Sequence, residues 1–515
     1  MSSSADIHWG ALAALVVFYA AIFALAALAS RRRVTGADDL MLAGRNLPLW
    51  LAASTMAATW VGGGYVNGSA ESAYASGLVW VQAPWGYALS LVVGGLFYAP
   101  IMRRHEFTTM LDPLQQRFGE RLGAVLYVPA LTGEVFWSAA ILTALGSTFG
   151  VVLGIDVQAG IIVSAAVAIG YTLIGGLWAV AVTDVVQLGV LVLGLAIATP
   201  LVASHLGGVA STWSAYTEHF GNAARLVPPL DGWRRPEWSG SFWSWWDSAL
   251  LLVFGGIPWH VYFQRVLAAR NAATARWLSL LAAPVCIVAA VPAVLIGAVG
   301  AMTDWGSLGL QAPEASLVLP WVLRYLGGPL VASVGLAAIA AAVMSSVDSS
   351  ILSAASMGAW NLYRPLVNPR ADGTELRRAI RTGIAIVGAT ALVLALRVQS
   401  VYGLWFLSSD LVYCVLFPQL TAALFDPRAT RTGAKAALVV TVFLRLGAGE
   451  PMLGLPRFLP YPMIDAATGA SMFPYRTFTM LCGLATLMLV SRLLRNGPPA
   501  VPLRSAASAC YPRDK

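Results

Sequence analysis

The sequence predicts an all-α polytopic membrane protein of about thirteen transmembrane helices built around two inverted five-helix units. Three observations predict it. Of the 515 residues, 58% are hydrophobic and only 11% charged, where a soluble chain carries about 25% charge. Apolar runs long enough to span a bilayer recur from end to end, without the short alternating segments of a β-barrel. Two of these runs are interrupted near their middle by glycine or proline, in corresponding places of two halves.

The first apolar run, from about Gly10 to Ala29, lacks a basic segment before it and reads as a retained helix rather than a signal peptide. Basic residues cluster at Arg31-Arg32-Arg33, Arg103-Arg104, Arg265 with Arg270 and Arg276, Arg364 to Arg381, Arg428 with Arg431 and Lys435, and Arg492 with Arg495. The intervening loops at Gly150–Gln158 and Asp304–Ser316 have no Lys or Arg. The positive-inside rule places the rich loops in the cytoplasm, the amino terminus outside and the carboxyl terminus inside. The net charge of +8 therefore points to membrane topology, not nucleic acid.

The expected organisation follows: 1–45, an extra helix and basic cytoplasmic loop; 46–204, the first unit; 205–240, an extracellular loop; 241–425, the second unit; 426–495, two additional helices; 496–515, a short cytoplasmic tail. Cys286, Cys414, Cys482 and Cys510 form no CxxC and have no histidine cluster beside them, which argues against a disulfide framework or a zinc site.

The interruptions are Gly62, Gly63 and Gly64 after Trp60, and Gly255 and Gly256 followed by Pro258. Glycine in a helix interior costs about 1 kcal/mol relative to alanine. Proline removes a donor and clashes with the preceding turn. Freed backbone at membrane depth is tolerated where protein or a cavity satisfies it. The glycines are expected to unwind each helix and expose carbonyls to a cation; close helix packing is the other reading.

Ala342, Ser345 and Ser346 stand at i, i+3 and i+4 in a hydroxyl-rich segment, so they share one helix face. Their oxygens, with carbonyls at a helix break, suit sodium. Acidic residues in or near spans are Glu71, Glu134, Asp184, Asp247, Asp348, Asp410 and Glu450; Asp184 and Asp348 are the strongest functional candidates.

Nineteen tryptophans are many. Many fit interfacial belts and the Trp233–Trp246 outer segment. Trp60 and Trp259 instead flank the two breaks. Trp137 lies inside a span, Tyr87 follows a proline bend, and Trp405 sits early in a late span. Ring faces suit a permethylated ammonium, which has no N–H to donate; core packing explains any one ring equally well.

The segments "TMAATWVGGGYVNGSAESAY", "WVQAPWGYALSLVVGGLFYA", "TMLDPLQQRFG", "YTLIGGLWAVAVTDVVQL", "GGIPWHVYFQRVL", "AAVMSSVDSSILSAASM", "VYGLWFLSSDLVY" and "GAGEPMLGLP" resemble the choline-transporting branch of the sodium:solute symporter family. The likeness runs from about Val16 to the last span. It implies a leucine-transporter-like core with one extra helix before it and two after, and sodium- and chloride-dependent choline uptake by alternating access. It implies a sodium site of the carbonyls of Ala57 and Trp60 with Ala342, Ser345 and Ser346. A second sodium, in relatives that have one, implies Asp184 and Ser349. The resemblance further implies a choline cage of Trp60, Tyr87, Trp137, Trp259 and Trp405, and an ion-dependence role for Glu450.

The chain departs from animal members in its short tail and its outer loop around Gly221–Ser241. The alternative readings are a sodium symporter for another quaternary amine or small solute such as betaine, which needs a cationic or donor group near Trp60, and a non-transporting sensor or scaffold of transporter ancestry. No nucleophile–base motif, His box or nucleotide loop suggests an enzyme.

Overall fold

The computed structural model describes residues 9–30, 37–174, 176–238, 240–398, 401–450, 453–465, 471–494 and 503. Arg31-Arg32-Arg33, Arg495 and Cys510 lie outside the described residues. The principal helices are α1 Trp9–Ser30, α2 Leu49–Trp60, α3 Gly63–Ala75, α4 Ala83–Val93, α5 Glu120–Leu153, α6 Val157–Ile174, α7 Leu177–Ala203, α8 Phe242–Gly255, α9 His260–Ala268, α10 Ala272–Met302, α11 Gly328–Met357, α12 Gly373–Arg397, α13 Val401–Leu411, α14 Phe417–Phe425, α15 Arg431–Gly447 and α16 Tyr475–Leu493. No strand forms among the described residues.

Ten helical runs are long and apolar enough to cross a membrane, among the described residues. Three expected spans fall short of that measure for visible reasons. The α2–α3 pair is divided by its break, α6 has a short apolar stretch, and α15 has only 17 residues.

Between residues 46 and 204 a broken pair is followed by runs at 78–104, α5, α6 and α7. Between 241 and 425 a broken pair is followed by α10, α11, α12 and the α13–α14 run. Helix α11 is the axis of the bundle, packed against α7 and α5, and α3 lies along α10. Small residues let backbones approach: a Cβ on Gly297 of α10 would lie 2.4 Å from the Ala70 carbonyl oxygen of α3. Such packing holds helices together in lipid, where apolar burial alone gives no preference for a neighbouring helix.

The 205–240 segment carries its own helix, Val209–Phe220. Tyr216 donates to the Ala73 carbonyl at 2.7 Å, pinning that segment over the end of α3.

Three spans contain a π-helical turn, at Gly94–Tyr98, Gly358–Tyr363 and Val412–Leu416. Each is followed two residues later by a proline, Pro100, Pro365 or Pro418. Proline has no N–H for the carbonyl four residues back, and the wider turn accommodates that missing bond.

Candidate functional site

Both expected interruptions are real breaks, and the first does not have the form expected of it. Helix α2 ends at Trp60; Val61 caps it by donating to the Ala57 carbonyl, and Gly62 is extended with φ −87 and ψ 178. Gly63 and Gly64 are already the first turn of α3. Only Val61 and Gly62 leave the helix, so the triple glycine is not an unwound stretch. Close approach explains two of the three: a Cβ on Gly62 would lie 2.2 Å from Ser346 Oγ, and one on Gly63 2.3 Å from Val343 Cγ2. At Gly64 the nearest atom, Trp405 Cδ1, would be 3.7 Å away, an ordinary contact.

In the second break, α8 ends at Gly255 and α9 starts at His260, with Trp259 extended between them at φ −107 and ψ 132. Pro258 lies within this break. A Cβ on Gly256 would meet Ser90 Oγ at 2.6 Å and the Leu252 carbonyl oxygen at 2.8 Å; one on Gly255 would meet Tyr413 Cβ at 2.9 Å. Trp259 Nε1 donates to the Gly255 carbonyl at 2.7 Å, which holds the indole across the break.

The first break delivers the end of α2 to the serine face of α11. A helix leaves its last carbonyls without intrahelical partners and carries a partial negative charge there. Ser345 Oγ donates to the Ala58 carbonyl (2.9 Å) and to Ala342 (3.1 Å). Ser346 Oγ donates to the Thr59 carbonyl (2.9 Å) and to Ala342 (3.3 Å). The expected triad of Ala342, Ser345 and Ser346 therefore converges on α2. The carbonyls it meets are those of Ala58 and Thr59; that of Ala57 accepts from Val61 at 2.9 Å instead. This is a nest of hard oxygens of the kind broken-helix transporters offer sodium.

One turn further along lies a buried ionic cluster. Thr55 donates to Asp184 Oδ2 at 2.5 Å, and the Arg265 guanidinium lies 3.6 Å from the same oxygen. Arg265 also donates to Ser349 Oγ at 2.5 Å. Arg265 and Asp184 are both fully buried. Arg265 is thus no cytoplasmic loop charge, as its place in a basic cluster predicts. It lies on α9, one turn before the helix ends, and turns inward to the carboxylates. Asp348 Oδ1 accepts from the Ser349 amide. Asp184 Oδ1 and Asp348 Oδ2 are buried without hydrogen-bond partners among the described residues. Glu134 accepts from Ser350 at 2.8 Å and Ser353 at 2.6 Å. Unpaired buried carboxylate oxygens are costly, so these two edges suit a bound cation. Arg265 already occupies the Asp184–Ser349 pair that the resemblance implies for a second sodium.

The five rings form one connected cluster. Trp60 stacks on Tyr87 with centroids 4.8 Å apart and lies 6.1 Å from Trp137 and 6.4 Å from Trp259. Trp137 meets Trp259 edge-on at 5.3 Å, and Tyr87 meets Trp405 at 5.3 Å. Trp137, the most open, is only 5% exposed, so none faces lipid. Tyr87 is not placed by a bend: Pro84 sits in the first turn of α4, where proline is tolerated, and the Tyr87 hydroxyl bonds Ser409 at 3.0 Å. Trp60 Nε1 has no hydrogen-bond partner among the described residues.

Glu450 stands apart from both groups. It pairs with Arg445 at 2.8 Å, Arg445 pairs with Asp410 at 2.6 Å, and Arg476 joins Asp410 (3.1 Å) to Asp247 (3.6 Å). This network ties α15 and α16 to α13 and α8. Sequence reasoning found the acids but not their partners Arg265, Arg445 and Arg476; an arginine inside an apolar run was the available signal.

Two broken helices packed on a serine-faced axial helix define a secondary transporter of the leucine-transporter-like fold. The solved structure of a Na+-coupled sialic acid symporter, in a substrate-bound outward-open state, shares it with a TM-score of 0.78, covering 94% of this chain and 98% of that one at 20% identity. The chain belongs to the sodium:solute symporter family, whose pattern matches residues 40–441. It is 46% identical over 495 residues to the high-affinity choline transporter 1 of Drosophila melanogaster, covering 94% of this chain and 78% of the relative. It is 44% identical over 505 residues to the human high affinity choline transporter 1, covering 95% and 86%.

Proposed function

We propose that this protein takes up choline with sodium by alternating access, choline binding among Trp60, Tyr87, Trp137, Trp259 and Trp405. The observation that carries the reading is the contact of Trp60, at the first break, with Trp259, at the second. A cation there touches both discontinuous helices and lies beside the Ser345–Ser346 face. Each ring face contributes about 0.5–2 kcal/mol, against about 8 kcal/mol for micromolar affinity, so several faces must act together. The Trp60 Nε1–H has no partner among the described residues and is a free donor for the choline hydroxyl.

Sodium, held by carbonyls at the end of α2 and by Ala342, Ser345 and Ser346, braces α2 against α11 and so fixes Trp60 for substrate. A second cation lies at the free edges of Asp184 and Asp348, with Arg265 holding the opposite edge of Asp184. Sodium and choline carry two charges inward, worth about 4.6 kcal/mol per 100 mV; a chloride ion travelling with them offsets part of this. The two units are 46–204 and 241–425, with thirteen spans, the amino terminus outside and the carboxyl terminus inside. The extra helix of 1–45, the outer loop of 205–240, the helices of 426–495 and the tail of 496–515 flank them.

Uptake of radiolabelled choline into proteoliposomes, with and without an inward sodium gradient, tests this reading. Accumulation only with the gradient is expected, and gradient-independent or absent uptake overturns it. Replacing external chloride with gluconate is expected to lower uptake; no change removes chloride from the cycle.

A further inference from the structure

A cavity of about 340 Å³ opens on the face of the bundle that carries the 205–240 segment. Glu71, Ser72, Trp80, Ser248, Phe406 and Arg476 are among its walls. Below it is a void of about 10 Å³, space for one water, which shares Ser72 and Trp80 with the cavity and reaches Trp405. Trp405 belongs to the central ring cluster, and Phe406 packs edge-on against it at 5.3 Å. One row of aromatic side chains therefore leads from the surface to the buried rings.

The charges in this cavity are unequal in their freedom. The Arg476 guanidinium is neutralised by Asp410 at 3.1 Å and Asp247 at 3.6 Å. Glu71 has no such partner: its Oε2 is buried and without a hydrogen bond among the described residues. A carboxylate that shares a cavity with an indole and a phenyl ring suits a cation that cannot donate hydrogen bonds.

We propose that this vestibule is a second, outer binding site for a quaternary ammonium cation, with Glu71 as counter-charge and Trp80 and Phe406 as ring contacts. It rests on the choline reading above and adds a site in front of the central cluster. A cation resting there raises its own concentration at the constriction formed by Trp80 and Trp405. Beyond that void lies Trp405, which meets Tyr87 of the central cluster.

The test is equilibrium binding of radiolabelled choline to the purified full-length chain in lipid nanodiscs with sodium present. Two saturable sites per chain are expected. Trp259→Ala should weaken the tighter one. Glu71→Gln should weaken the looser one about tenfold or more, and Trp80→Ala about two- to thirtyfold, the loss expected for one ring face. Glu71→Asp and Trp80→Phe should restore much of that loss, which separates binding from misfolding. Tetramethylammonium should compete at both sites. A single tight site, sensitive to Trp259→Ala and indifferent to Glu71→Gln and Trp80→Ala, overturns the outer site and leaves choline transport standing. No saturable choline binding at all overturns both.

Discussion

Ser346 of α11 donates its hydroxyl hydrogen to the Thr59 carbonyl of α2 at 2.9 Å, joining residues 287 positions apart. The contact falls one residue before α2 stops. An uninterrupted helix would have used the Thr59 oxygen for its own amide four residues on.

Ser346→Ala removes one hard oxygen from the serine–carbonyl nest proposed for sodium. A hydrogen bond or ligand contact to a charged group is worth about 1.5–3 kcal/mol, so the sodium concentration for half-maximal uptake should rise about ten- to hundredfold. Sodium titration of choline uptake measures this, and an unchanged midpoint removes Ser346 from the site.

The three glycines should differ in their tolerance of alanine. A methyl at Gly62 meets Ser346 Oγ at 2.2 Å, whereas one at Gly64 finds nothing nearer than 3.7 Å. Gly62→Ala should lower thermal stability by roughly 1–3 kcal/mol and abolish sodium-stimulated uptake. Gly64→Ala should change stability by less than that and gain from its helical position. Equal effects in a melting series would contradict the geometry.

Trp259→Ala should raise the choline KM by about two- to thirtyfold, with a smaller change in sodium dependence. Because Trp259 Nε1 also holds Gly255, Trp259→Phe should recover part of the ring contribution but not the hydrogen bond. Normal choline affinity in both variants would place the substrate elsewhere.

Arg265 and Asp184 are buried together with no water-facing side. Removing one partner of a buried pair costs about 3–5 kcal/mol, much of it from the charge left behind. Arg265→Met should therefore be severely destabilising, and Arg265→Met with Asp184→Asn less so than either loss summed. A double-mutant cycle on thermal unfolding gives the coupling; additivity would show that the two do not interact.

Asp410 and Glu450 should separate in the same assay. Asp410 pairs with both Arg445 and Arg476, so Asp410→Asn leaves two arginines short of a charge. Glu450→Gln leaves Arg445 still held by Asp410. Asp410→Asn should cost about 3–5 kcal/mol, and Glu450→Gln less, because Arg445 keeps its bond to Asp410.

Much of the fold was legible because lipid enforces simple rules. Length and polarity located the spans, and Gly62 and Pro258 marked the two places where the backbone departs from them. The aromatic set was legible as candidates, since Trp60 and Trp259 flank those breaks. Their mutual contact was not, because it depends on how two distant helices cross. The ion pairs were hidden for another reason. Arg265 lies in the last turns of α9, close in sequence to Arg270 and Arg276 beyond it, and charge counting treats it as a loop marker, although its side chain points back into the bundle. That Ser345 and Ser346 meet the carbonyls of Ala58 and Thr59 depends on the rotation of α2 about its axis, which residue spacing does not fix.

The π turn at Val412–Leu416 divides one span into α13, which bears Trp405 and Asp410, and α14, which begins at Phe417. Such a turn with a proline beside it is where long helices kink. The wider turn offsets the helix faces before and after it, so that α13 presents Trp405 to Tyr87 while α14 presents Phe417 to Phe254.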